Sequence, residues 1–275
     1  MTDKASYVLG TGHDEWMRLR LQHRLWSNAA HDAWLRAGLA AGEHVLDLGS
    51  GPGWASLELA EWVTETGRVT ALDASESFVS FLADEAQRRG ILHVEARVCD
   101  VQRGLAEALQ FAPPIDVVWA RWLFCFLPSP GEVIEQIALH SHSKTRIVLH
   151  DYCNYTAMTM MPRSAAHDAA VAATDRSWRD RGGNPDVMAE MPRLLDRAGF
   201  DVTHLQIHQR VCRGGDPVFS WPDSWWRVWA PKLVATGYLQ QEVCDTLLAE
   251  LTAMRSDRSR FLIPPPVTEL IATRR

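Results

Sequence analysis

Apolar residues fall along the chain in two alternating rhythms. Short runs rich in β-branched residues occur at 44–48, 68–73, 92–98, 115–120 and 145–150. Between them, at 54–65, 77–89, 104–109 and 131–140, apolar residues recur at helical spacing. Strand alternating with helix is the pattern of crossover connections, and it predicts a doubly wound α/β domain around a parallel sheet.

The flanks add to this plan. Segment 14–38 carries Trp16, Leu19, Leu21, Leu25 and Trp26 as an apolar stripe, which predicts a helical amino-terminal lid over 1–40. The stripe also admits packing against a second copy of the chain. After a core at 41–152, segment 153–191 is too helical and apolar for a linker and reads as an inserted helical cap. The remainder, 192–275, resumes the core with a helix at 194–198 ended by Gly199, a strand at 201–212 and a last strand at 266–273. A second helical insertion, about 216–256, lies between those strands. Seven strands follow, mostly parallel, the last antiparallel.

Composition narrows the function. The net charge is −6, and the densest basic cluster is Arg18, Arg20 and Arg24, which disfavours a nucleic-acid footprint and favours a small-molecule substrate. No stretch has the apolar length of a membrane span, and residues 1–12 lack the basic-then-apolar order of a secretory signal, so a cytoplasmic protein off the membrane is expected. The five cysteines are widely spaced without a Cys-x-x-Cys, so neither a disulfide framework nor a metal site is indicated. Twelve tryptophans, several at 221–229, exceed what a core of this size requires and suit a pocket for a flat or cationic ligand.

The sharpest local signal runs from Val45 through Gly49-Ser50-Gly51-Pro52-Gly53 into a helix near Trp54. Glycine without a Cβ lets main-chain N–H groups approach a ligand at a helix amino terminus, outside the carboxyl ends of the strands. Asp73, followed by Ala74 and Ser75, ends the second strand, where a carboxylate can accept ribose hydroxyls. Asp100, followed by Val101, ends the third, where it can meet an adenine edge. A nicotinamide-dependent oxidoreductase shares part of this pattern, through Gly51-x-Gly53-x-x-Ser56. Against it, Trp54 stands where one register needs a third glycine, and Asp47 would repel a pyrophosphate yet hold an amino-acid ammonium.

These residues resemble the class I S-adenosylmethionine-dependent methyltransferases, whose loop reads Asp-x-Gly-x-Gly-x-Gly, as Asp47 to Gly53 does. The likeness extends to 69–73, 99–101 and 115–118. Tyr7-Val8-Leu9-Gly10, Arg18 to Trp26, 177–186, 194–200 and 226–237 are similar to a bacterial small-molecule, UbiE-like subgroup. The resemblance implies S-adenosylmethionine as cofactor and S-adenosylhomocysteine as product. It also implies Tyr7 and Gln22 closing over the methionine end, with Arg121 and Trp122 approaching from the fourth strand.

Methyl transfer is an in-line displacement that mainly needs a nucleophile held near the sulfonium methyl with water excluded; a base is optional. His150 at the end of the fifth strand is the first candidate base, with Asp151 to orient it unless alternation turns these neighbours to opposite sides, and His167 with Asp168 and Arg163 on the cap is the second. Each has an equal structural reading, as a satisfied buried histidine or a turn cap. The acceptor atom stays open among nitrogen, oxygen and carbon. A scaffold or cyclase that keeps the cofactor without transferring methyl is a further alternative.

Overall fold

The computed structural model describes residues 13–110 and 112–275. The described residues open with α1 (His13–Arg36), then alternate β1 (His44–Leu48), α2 (Trp54–Val63), β2 (Arg68–Asp73), α3 (Glu76–Arg89), β3 (Val94–Val98), α4 (Leu105–Leu109), β4 (Ile115–Arg121), α5 (Pro130–Leu139) and β5 (Ser141–Tyr152). There follow β6 (Thr159–Met161), α6 (Ala165–Arg179), α7 (Met191–Arg197), β7 (Phe200–His208), β8 (Cys212–Arg213), α8 (Ser220–Ala235), α9 (Gln241–Met254), β9 (Phe261–Ile263) and β10 (Val267–Arg274).

The main sheet has seven strands in the order β3-β2-β1-β4-β5-β10-β7. Pairs among β1 to β5 are parallel, and β10 runs antiparallel to both neighbours, as the strand pattern predicts. Order reverses at β1, whose neighbours are β2 and β4, which creates the crevice where ligands sit in such sheets.

Alternation along the strands divides the core. Val45, Val117, Trp119, Val148 and Ile271 face α1 and α2, while Leu46, Val118, Ile147, Leu149 and Leu270 face the opposite layer. In α1, Trp26, Ala30, Ala33 and Trp34 are fully buried, and Trp34 meets Trp119 edge-on at 5.4 Å. The amino-terminal helix therefore lies on its own sheet. In α3, the Ser75 side chain accepts from the Phe78 N–H, Arg88 and Arg89 occupy the last turn, and Gly90 ends it at φ 72°.

Two details depart from expectation. A second sheet, β6-β9-β8, joins the cap to the closing segment, and strands of two or three residues are too short to show a period. The strand expected over 201–212 ends at His208; Cys212 pairs instead with Leu262 of β9 and is fully buried there.

Candidate active site

A cavity of about 340 Å³ opens at the carboxyl ends of β1, β2 and β4 and runs under α1, α6 and α8. The parallel register sets its floor: Leu48 lies beside Leu72 and Ala120, so Asp47, Asp73 and Arg121 emerge along one edge of the sheet.

The glycine turn depends on left-handed backbone. Gly49, Gly51 and Gly53 have φ of 67°, 55° and 79°. A Cβ on Gly53 would lie 2.3 Å from Leu82, and one on Gly49 would lie 2.9 Å from Leu123, so these two glycines permit close packing. A Cβ on Gly51 would meet nothing within 4 Å, and Gly51 lines the cavity. Its N–H donates to Asp73 Oδ2 at 2.8 Å, while the Ser75 N–H donates to Oδ1 at 2.8 Å. Burial pushes the Asp73 carboxyl up and these two donors oppose it.

Asp47 is almost fully buried and accepts from the Ser56 hydroxyl at 2.6 Å. Burial raises its pKa to about 7, against the Ser56 hydrogen bond and the nearby Arg121 charge. Arg121 lines the same wall. Its Nη2 lies 2.9 Å from His23 Nδ1, its guanidinium covers Trp122 at 5.0 Å, and its buried Nη1 has no hydrogen-bond partner. His23 Nε2 in turn lies 2.9 Å from Glu58 Oε1. Burial is the main reason that the Arg121 pKa falls to about 10.

At the other end the walls are aromatic. Tyr152 meets Tyr155 at 5.3 Å, Tyr155 meets Trp178 at 5.1 Å, and Trp178 meets Trp225 at 6.1 Å. Burial raises both phenols' pKa values, so neither supplies a phenolate near neutral pH. Trp122 holds left-handed backbone at φ 53°, an uncommon state for a bulky residue, with its ring against Trp26 at 5.5 Å and Trp221 at 5.9 Å. Arg18 reaches in from α1, paired through two nitrogens with Glu15, donating to Gln22 Oε1 at 2.8 Å and lying over Trp225.

The structure gathers Gln22, Asp47, Gly49, Ser50, Gly51, Trp54, Asp73, Ala74, Asp100, Val101, Arg121 and Trp122 around this cavity. Trp54 both lines it and lies beneath Arg20 of α1. Gly53 and Ser75 stand just behind it, and Tyr7 lies outside the described residues. The candidate catalytic residues His150, Asp151 and His167 are not among the residues that line it.

His150 is fully buried on the α1 face of the sheet, bonded to Glu269 at 3.1 Å, and burial lowers its pKa to about 4. Asp151 projects to the opposite face, accepting from the Cys125 and Tyr152 N–H groups, with its pKa raised by burial to about 6. Neighbouring strand residues cannot share a face, which separates the pair. His167 is enclosed beside Trp226 at 5.5 Å, and burial lowers its pKa to about 4. Sequence reasoning missed His23, whose signal is its place one residue after Gln22 on the lid helix.

A family model described as a methyltransferase domain matches residues 39–205. Over 57 residues, 21% of this chain, the sequence is 51% identical to a 23S rRNA (uracil(1939)-C(5))-methyltransferase of Psychrobacter arcticus; the match spans 11% of that relative's length. A solved structure from Bacillus halodurans C-125 that bears a methyltransferase assignment shares the fold, with TM-score 0.60, 16% identity, and coverage of 88% of this chain and 97% of that one. Geranyl diphosphate C-methyltransferase of Streptomyces coelicolor A3(2) does so with TM-score 0.55, 14% identity, and coverage of 92% and 77%. With the domain match spanning more than half the chain, and the sheet order and glycine turn in agreement, the protein belongs to the methyltransferase domain family.

Proposed function

We propose that the chain methylates a small, flat, largely apolar metabolite carrying no cationic group, held between the sheet edge and the aromatic roof formed by Tyr152, Tyr155, Trp178 and Trp225. The observation that carries this reading is the distribution of charge along the cavity. Its lining carboxylates, Asp47, Asp73 and Asp100, all belong to the ends of β1, β2 and β3, and the charged side chain that reaches the aromatic end is Arg18. An alkylammonium acceptor would gain ring faces there but meet an arginine whose carboxylate partner, Glu15, is already engaged by it on both oxygens.

The residues present fit S-adenosylmethionine. The open space over Gly51 admits a ligand against the main chain of the turn, whose Gly51 N–H fixes the Asp73 carboxylate. The orphaned Arg121 Nη1 is a donor awaiting an anion, suited to the methionine carboxylate, with His23 steadying the guanidinium from the other side. Asp47 suits the ammonium, Asp73 the ribose hydroxyls, and Asp100 with Val101 the adenine. The cofactor supplies an electrophilic methyl on a sulfonium. The chain's part is to position the acceptor, exclude water with Trp122, Trp221 and Tyr152, and surround developing charge with fixed donors. A carbon, nitrogen or oxygen nucleophile that is already reactive needs no base.

Two measurements test this. S-adenosylhomocysteine should raise the melting temperature of the wild type, and Asp73→Ala should cut that shift; a folded wild type that shows no shift refutes the site. Transfer of labelled methyl should then be scored against neutral aromatic, anionic and alkylammonium acceptors. Methylated product in a single turnover separates transfer from mere cofactor binding. Preference for the alkylammonium class would overturn the acceptor assignment.

A further inference from the structure

Outside the cavity, on the α1 face of the sheet, three adjacent strands bring imidazoles and a carboxylate to one point. His150 Nε2 of β5 lies 3.1 Å and His208 Nε2 of β7 lies 2.9 Å from the same oxygen, Glu269 Oε2 of β10. One ligand atom from each of these three residues lies within 4.8 Å of the others. His204, four residues before His208 on β7, has Nε2 3.2 Å from Glu269 Oε1.

We propose that His150, His208 and Glu269 bind a divalent transition ion of the zinc class, with His204 on the open side. Hydrogen bonding alone accounts poorly for the cluster. One carboxylate oxygen takes two imidazoles, while His204 Nε2 stands 3.2 Å from the other oxygen without hydrogen-bond geometry. Two imidazole nitrogens and one carboxylate oxygen form a donor set that zinc accepts, with a further position left for water or a fourth ligand.

The neighbours select the ion. Arg36 of α1 pairs with Glu269 Oε1 and already offsets the carboxylate charge. A hard cation such as Mg²⁺ or Ca²⁺, held by oxygen and charge, is therefore disfavoured, and an ion held by imidazole nitrogen is favoured. The frame is rigid. Glu269 is in register with His150 on one side, His208 with Val267 on the other, and Trp119 packs edge-on against His150 at 5.0 Å. Arg36 holds Glu269 by its other oxygen, as outer partners hold metal-binding carboxylates, and Trp119 fixes the His150 ring by packing.

Access lies along the sheet edge. His150 and Glu269 are fully buried, whereas His208 and His204 are 21% and 26% exposed. Loading needs both Nε2 atoms bare, so each neutral ring carries its proton on Nδ1 in the bound form and no proton is lost overall. A bound ion would clip β5, β10 and β7 together. It would also lie behind Trp26, which touches both His208 and the cavity residue Trp122.

The test uses the full chain, stripped with a chelator and titrated with Zn²⁺ by calorimetry and with Co²⁺ by visible absorption. The expected result is about one ion per chain, with the intense bands of low-coordinate cobalt. His208→Ala, on the half-exposed edge strand, should weaken binding by more than the roughly 10–100-fold that loss of an outer partner costs. His204→Ala should weaken it less, and circular dichroism should show both variants folded. Failure of the wild type to bind zinc, or zinc bound equally by His208→Ala, would overturn the proposal and leave a hydrogen-bonded ion-pair cluster.

Discussion

Asp47 shows how one residue's surroundings set a measurable. Burial raises its pKa to about 7, even though Ser56 and Arg121 pull the other way. If its carboxylate holds the cofactor ammonium, protonation must weaken binding. Affinity for S-adenosylhomocysteine is expected to level off above about pH 7 and to fall below it by up to about tenfold per unit. Asp47→Asn should flatten that profile at its weak, low-pH level; calorimetric titration across pH 5.5 to 8.5 reads both, and an unchanged slope in the variant would remove Asp47 from the ammonium. Gly53 makes a steric argument of the same kind. At φ 79°, with a Cβ position 2.3 Å from Leu82, Gly53→Ala should cost about 1–3 kcal/mol by denaturant melting, and a neutral result would mean that Leu82 yields freely. The glycines and strand-end acids were legible because their spacing is local. The surroundings of His150 and Asp151 were not, because their partners, Glu269 of β10 and the Cys125 N–H, reach them only through tertiary pairing.

At the scale of elements, α1 decides how closed the cavity is. Its buried stripe, Ala30, Ala33 and Trp34, packs on Trp119 and Val148 while its amino-terminal half supplies Arg18, Gln22 and His23 to the site. One helix thus serves as core at one end and roof at the other. Trp34→Ala should cost about 3–5 kcal/mol, as large-to-small changes at fully buried aromatic positions do, because the Trp34–Trp119 contact joins the helix to the sheet centre. A loss below about 1 kcal/mol in equilibrium unfolding would show that α1 is held elsewhere. Helical period revealed this element in the sequence. The sheet of β6, β9 and β8 had no such signal: its strands are two or three residues long and come from distant segments, so only tertiary pairing defines them.

The whole molecule places its cavity between parts far apart in sequence: Gln22 from α1, Asp47 to Gly51 from the core, Tyr152 and Trp178 around the cap, and Trp225 from α8. A ligand that fills it must order all of them together. At about 100 times Kd, S-adenosylhomocysteine should add about 2.7 kcal/mol of stability, which at roughly 2–4 °C per kcal/mol is a Tm rise of about 5–10 °C. Where that stabilisation is felt is the sharper measurement. Hydrogen exchange should slow at the amides of Gly49 and Gly51 and also across the first half of α1, while α9, whose residues do not line the cavity, should exchange as before. Protection confined to the glycine turn would mean that the lid helix is already rigid or does not engage the cofactor. Protection that reaches α1 but is lost in Arg121→Met would tie lid closure to the methionine end, because Arg121 meets His23 of that helix at 2.9 Å.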